Sequence, residues 1–181
     1  VEPLLHEAHG DDGLLEQHVE RAQQVAARLS LGLEEPTLLV AQRDDDKAPQ
    51  LYVLPTDGGE ARRLTSVPTG VTAPKWYGDS KRLAFITRVW SDIEWGAMGE
   101  RLKQRAESKM TARVWDSTPV TYWDQWIDER QAHLYRIGVD GGEPEALTTR
   151  SQLELPRSLL DATSYDINPH DGQVAFVADS D

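Results

Sequence analysis

The sequence contains no cysteine, and this absence removes disulfide bonds, thiolate nucleophiles and cysteine-ligated metal sites. Also missing is any run approaching the ~20 apolar residues that cross a bilayer. The first residues, 1–7, show no basic segment followed by an apolar stretch, so no signal peptide is predicted. We therefore expect a cytoplasmic protein, although a mature exported form is also compatible with a chain that lacks disulfides.

Positive charge is scarce. The chain has 19 lysines and arginines against 31 aspartates and glutamates, which gives a formal net charge of −12. A field of that sign repels phosphate backbones and anionic lipid surfaces, so neither nucleic acid nor a membrane is an expected partner. Hydrophobic residues make up 39% and charged residues 28% of the 181 residues, as in an ordinary soluble globular domain.

Metal-ligating patterns are also missing. His6 and His9 flank Glu7, but they lack the two-residue spacer of the zinc-peptidase His-Glu-x-x-His motif, and no third ligand is evident. We expect neither a metal nor a cofactor.

The chain divides near residue 34 into a helical segment and a β-rich region. Residues 1–34 contain an amphipathic helix pattern that ends before Gly32. The apolar face of this N-terminal helix comprises Leu15, His18, Val19, Ala22, Val25, Ala26 and Leu29. Residues 35–181 instead show short apolar runs separated by turn residues, which predicts a mainly β domain.

An internal repeat is the most informative feature of the β-rich region. Residues 50–65 recur as residues 133–148 with an offset of 83, which places a Leu-Tyr pair, an Asp-Gly-Gly-Glu turn and a Leu-Thr pair in the same register. The two glycines supply the positive φ that tight hairpins need, so each copy predicts a β-hairpin. A second shared unit, an aromatic followed by a polar turn and an apolar strand, occupies residues 76–86 and 165–177.

Repeated short antiparallel strands are typical of a β-propeller, whose blades hold four strands in ~40–45 residues. The offset of 83 is too long for one blade. Strong helix formers around residues 91–110 account for the surplus and predict a helical insertion in one blade. The remaining length suits about three blades, fewer than the four to eight of a closed ring, so we expect a partial propeller.

Three segments carry a family resemblance. Residues 108–117, 122–126 and 133–135 resemble the propeller of acylaminoacyl- and dipeptidyl-peptidase-like members of the prolyl oligopeptidase family, over roughly residues 37–181. The Trp-Ser-Pro-Asp-Gly turn typical of that family is degenerate in residues 76–80 and 168–172.

The resemblance implies a propeller that gates access and filters short peptides for a C-terminal α/β-hydrolase domain of a serine peptidase. That domain carries a Gly-x-Ser-x-Gly nucleophile elbow, and no serine of this sequence is flanked in that way. We therefore expect no catalytic residue in this chain, no activity from it alone, and a chain that is part of something longer.

The start of the predicted insertion offers candidate substrate-binding residues, namely Trp90, Glu94 and Trp95. Related dipeptidyl-type peptidases bind a peptide's free amine with acidic residues on a propeller insert. A carboxylate attracts an ammonium group, and an aromatic face adds cation–π attraction. The alternative for Glu94 is an ordinary solvated glutamate.

Other polar and aromatic residues are assigned structural roles. His133 and His170 are expected to be hydrogen-bonded structural residues, and the aspartates at 44–46 a solvated loop. Trp123 and Trp126 are expected to pack in the core.

Two other functions fit the same hairpins. One is a non-enzymatic, protein-binding propeller of the periplasmic type, and the other is an interaction fragment that docks its helix and strand edges onto another chain. Assembly into a homo-oligomer is left open.

Overall fold

The computed structural model describes residues 37–43, 45–55, 58–90, 92–108, 121–122, 125–126, 129–149, 153–156 and 160–178. Within these residues the protein is mainly β, as predicted, and contains one α-helix. The N-terminal helix predicted over residues 1–34, including His6 and His9, lies outside the described residues.

The described strands number eleven. They are β1 (Thr37–Ala41), β2 (Gln50–Leu54), β3 (Arg62–Arg63), β4 (Thr72–Trp76), β5 (Arg82–Val89), β6 (Thr121–Tyr122), β7 (Gln125–Trp126), β8 (Gln131–Gly138), β9 (Gly141–Ala146), β10 (Tyr165–Ile167) and β11 (Val174–Phe176). A 3-10 turn at Trp95–Ala97 leads into helix α1 (Met98–Glu107).

These strands form three stacked sheets and one small hairpin, and every pairing is antiparallel. The first sheet has the order β1-β2-β3, the central sheet β4-β5-β8-β9, and the third sheet β10-β11, while β6 and β7 form the hairpin. The central sheet is a four-stranded meander in chain order, with a long connection between β5 and β8.

The central strands are apolar on both faces, because each face of the central sheet packs against a neighbour. Along β5, Leu83 and Phe85 belong to a core shared with the first sheet, whereas Ala84 and Ile86 belong to a core shared with the third sheet. A strand covered on both faces reads as a continuous apolar run instead of an alternating one. The core therefore continues through three layers of sheet.

Both predicted hairpins are present, as β2–β3 and β8–β9. Their turns share left-handed glycines, with φ of 97° at Gly58 and 92° at Gly141. The repeated threonine explains the Leu-Thr pair: its Oγ1 accepts the backbone N–H of Leu51 at 2.9 Å in one copy and that of Leu134 at 3.0 Å in the other. The sequence repeat is thus a repeat of hydrogen bonds.

The two degenerate turns also keep a shared geometry. Ser80 has φ 54° and Gly172 has φ 73°, so a serine takes the left-handed position in the first turn. The turns join β4 to β5 and β10 to β11, and they touch each other: a Cβ added at Gly78 would lie 2.3 Å from the carbonyl oxygen of Pro169. Gly78 is required there by close approach.

Helix α1 lies inside the segment for which a helical insertion is predicted, and it is mostly exposed. Met98 is buried and Leu102 half-buried against the first core. Glu100 in the first turn and Arg105 in the last turn both complement the helix dipole. Within the helix, contact with the core is therefore made by Met98 and Leu102, and the other side chains are exposed.

Two expectations are wrong. Trp126 is 55% exposed because β7 belongs to the small hairpin, outside the stacked sheets. Asp46 is buried, although the loop containing it was expected to be solvated, because it bonds to Tyr52 and Arg63 beneath the loop. Trp123 lies outside the described residues. The described strands do not form a closed ring, and the count of three blades stays a prediction.

Candidate functional site

The three residues predicted to bind substrate lie where the chain leaves the central sheet. Trp90 directly follows β5, and a turn closed by the hydrogen bond from Ile93 N–H to the Trp90 carbonyl (3.3 Å) reverses the chain. The Glu94 carbonyl then accepts the N–H of Ala97 at 2.9 Å and begins the 3-10 turn. The three residues therefore lie between the end of β5 and the start of α1.

Trp90 is an anchor of this base. Its side chain is 4% exposed, and its indole N–H donates to Oε2 of Glu129 at 3.4 Å. The guanidinium carbons of Arg101 and Arg130 lie 5.8 Å and 5.5 Å from its ring centroid, within cation–π range. The indole therefore already holds two cations of its own chain.

Trp95 is half-buried and covers a tyrosine of the central sheet. Its ring lies 4.9 Å from that of Tyr135, which in turn stacks on Phe85 at 6.1 Å. Burial raises the pKa of Tyr135 to about 12, so its phenol stays protonated at neutral pH. Trp95 thus fixes the 3-10 turn against the core.

Glu94 is the exposed member of the three. Its backbone begins the 3-10 turn, but its carboxylate accepts no capping hydrogen bond. A carboxylate held in solvent between two anchored tryptophans is available to a cation. Glu94 is therefore exposed, while Trp90 and Trp95 hold the backbone on either side.

Sequence reasoning missed Glu129. Oε1 of its carboxylate accepts a hydrogen bond from Arg105 at 3.3 Å, while Oε2 accepts from Trp90, so it links α1 to the segment before β8. The available signal was the repeat, because the offset of 83 residues places Glu129 at the position of Asp46.

His133 has the structural setting expected of it. It is 2% exposed, and its Nδ1 lies 3.0 Å from Oγ1 of Thr148. Burial lowers the pKa of His133, so the imidazole is neutral at neutral pH. Its Nε2 has no hydrogen-bond partner among the described residues, and His170 is exposed on the third sheet's turn.

The described part of the chain holds no group of three or more histidines, aspartates or glutamates placed to bind a metal ion. None of its helices is long and apolar enough to cross a bilayer.

Comparison with known proteins gives one informative similarity. The chain is 46% identical over 110 residues to the protein named "Uncharacterized peptidase YuxL" of Bacillus subtilis (strain 168). The matched segment is 61% of this chain but spans 16% of that relative's length. No protein-family model matches the chain.

Proposed function

We propose that this chain is part of the β-propeller of a serine peptidase of the prolyl oligopeptidase family. In this proposal the propeller gates access and filters short peptides for a C-terminal α/β-hydrolase domain. The observation that carries it is the 46% identity over 110 residues to a protein named as a peptidase. Because that segment is a small part of the relative, the hydrolytic activity is proposed for the whole protein and not for this chain alone.

The stacked sheets support the propeller part of the proposal. A propeller blade is a four-stranded antiparallel meander whose two faces pack on neighbouring blades. The central sheet has four strands in chain order and buries apolar residues on both faces. The first sheet shares with the central sheet the bond from a leucine N–H to a threonine hydroxyl. The third sheet shares with it a turn in which an aspartate accepts the N–H two residues later.

The chemistry of the described residues supports a non-catalytic role. A nucleophilic serine needs an adjacent base and a sharp turn that exposes it. The sequence contains no Gly-x-Ser-x-Gly, and the buried His133 bonds to a threonine that is itself hydrogen-bonded to the backbone of Leu134. The catalytic triad therefore belongs to the proposed hydrolase domain.

Within this function, Glu94 binds the free amino terminus of a peptide. We expect Glu94→Ala in the full-length enzyme to raise KM for peptides with a free amine by about tenfold, the loss of one exposed charge-assisted contact. Peptides with an acetylated amine should be cleaved as before, because they carry no ammonium group. Steady-state kinetics on matched free and acetylated peptides measure the difference.

The matched control is Glu100→Ala, which removes an exposed carboxylate from α1 in the same insertion. It should leave the preference between the two peptides unchanged. A Glu94→Ala enzyme with the wild-type preference would show that this carboxylate is solvated and binds no amine.

A further inference from the structure

The repeat places two carboxylates at equivalent positions. Glu129 follows Asp46 by 83 residues, the offset that also relates Tyr135 to Tyr52. Each carboxylate precedes the strand that begins its hairpin, β8 or β2. The two copies nevertheless use the carboxylate and the tyrosine differently.

In the first copy the carboxylate and the tyrosine bond to each other. Oδ2 of Asp46 accepts the hydroxyl of Tyr52 at 2.6 Å, and Oδ1 lies 2.9 Å from a guanidinium nitrogen of Arg63. The Arg43 guanidinium covers the tyrosine ring, 4.4 Å from its centroid. Carboxylate, tyrosine and two arginines thus close a short loop between β1 and β2.

In the second copy the equivalent residues, Glu129 and Tyr135, contact residues at or near the insertion instead. The ring of Tyr135 is covered by Trp95 where Tyr52 has an arginine. The carboxylate of Glu129 points to Trp90 and Arg105, with 48% of its side chain exposed against 1% for Asp46. In the second copy both the carboxylate and the tyrosine therefore contact residues of the insertion or the turn before it, and not each other.

We propose that Glu129 is the positioning residue of the insertion: diverted from its repeat partner Tyr135, it fixes α1 and the Trp90 turn against the central sheet. The helix buries only Met98 fully, so a carboxylate that bridges Arg105 on α1 and the indole of Trp90 is a substantial part of its attachment. Its effect on substrate rests on the proposed function, since it sets where Glu94 lies.

Hydrogen exchange of the 181-residue chain tests the attachment. In Glu129→Ala, the amides of Met98–Glu107 should exchange about tenfold faster than in the wild type, because local opening loses two hydrogen bonds. Glu129→Gln should show a smaller effect, since its amide oxygen still accepts. The control is Glu143→Gln, which neutralises an exposed carboxylate on β9, and its α1 amides should exchange as in the wild type. Unchanged exchange in Glu129→Ala would overturn the proposal.

A pair of tyrosine variants tests the diversion itself. Tyr52→Phe removes the hydrogen bond to Asp46 and should lower the urea midpoint of the chain. Tyr135→Phe should lower it less, because Tyr135 is held through its ring by Trp95 and Phe85. An equal or larger loss in Tyr135→Phe would contradict the diversion of Glu129.

Kinetics of the full-length enzyme separate this inference from the proposed function. Glu129→Ala should raise KM for peptides with a free amine several-fold while kcat changes little, since the variant moves Glu94 and leaves the triad intact. If exchange of α1 accelerates but KM is unchanged, Glu129 positions the insertion and the proposed amine contact at Glu94 is wrong. If neither changes, the positioning role is wrong.

Discussion

Asp46 is a carboxylate that stays ionised while its side chain is 1% exposed. The hydrogen bond from Tyr52 chiefly lowers the pKa of Asp46; burial opposes this effect, and the Arg43 N–H and the Arg63 guanidinium add to it. A buried charge is tolerated when it is paired: here Oδ2 accepts hydrogen bonds from the Tyr52 hydroxyl and the Arg43 N–H, while Oδ1 has the Arg63 guanidinium as an ion-pair partner but no hydrogen bond of good geometry. The loop between β1 and β2 therefore depends on this one charge.

Replacing Asp46 by asparagine should lower the free energy of unfolding by about 2 kcal/mol at pH 7, because it removes the charge opposite Arg63 and weakens the bond to Tyr52. The folded-state pKa of Asp46 is below its unfolded value near 3.9, so the stabilisation is present above that value. It is lost as the pH falls through the folded pKa. Urea titrations between pH 3 and pH 7 measure both effects.

The neighbouring Asp45 provides the control, since it is exposed in the same loop. Asp45→Asn should leave the urea midpoint nearly unchanged at every pH. A gap between wild type and Asp46→Asn that persists undiminished at pH 3 would show that the charge of Asp46 is not the stabilising feature.

At the scale of elements, the two repeated hairpins depend on residues close in sequence, whereas the packing of one sheet on another depends on residues far apart in sequence. The β2–β3 and β8–β9 hairpins follow from glycines that adopt left-handed φ and from a threonine after the second strand that accepts a backbone N–H of the first strand. The contact between the β4–β5 and β10–β11 turns instead requires a glycine at position 78, because the Pro169 carbonyl lies where a side chain would begin. Gly78 is not left-handed, so the requirement there is space.

Gly78→Ala should lower the free energy of unfolding by about 1–3 kcal/mol, the usual cost of forcing extra atoms into a packed site. The added Cβ would meet the Pro169 carbonyl at 2.3 Å, and backbone must move to relieve it. Gly96→Ala is the matched control, because no atom lies within 4 Å of a Cβ at this exposed position. Urea unfolding of both variants measures the difference, and equal midpoints would contradict the close approach of the two turns.

What could be predicted from the sequence depends on residues close together in the chain, and what could not be predicted depends on residues far apart in it. The hairpins and the helical insertion were predictable because a repeat, turn glycines and helix formers act over a few residues. The partner of Glu129, the burial of Asp46 and the exposure of Trp126 were not, because each depends on which chain segments meet in space. The predicted site residues lie within six positions of one another, so their proximity follows from the sequence. The structure adds that Trp90 is buried and that Trp95 packs on Tyr135.

At the scale of the whole molecule, three sheets stack through two continuous cores, and a long connection between β5 and β8 carries an exposed helix. The connection between β5 and β8 therefore adds the exposed surface of α1 to the stacked sheets. The net charge of −12 belongs to the whole chain, and α1 itself carries three basic side chains, Arg101, Lys103 and Arg105, against the two carboxylates of Glu100 and Glu107.

In the proposed function, this chain is part of a serine peptidase whose nucleophile lies outside residues 1–181. Labelling with a fluorophosphonate probe, followed by mass-spectrometric mapping of the modified serine, tests it most directly. We predict no labelling of the 181-residue chain, and in the full-length protein one labelled serine, within a Gly-x-Ser-x-Gly motif outside these residues. A labelled serine within residues 1–181, or a full-length protein that does not react at all, would contradict the claim.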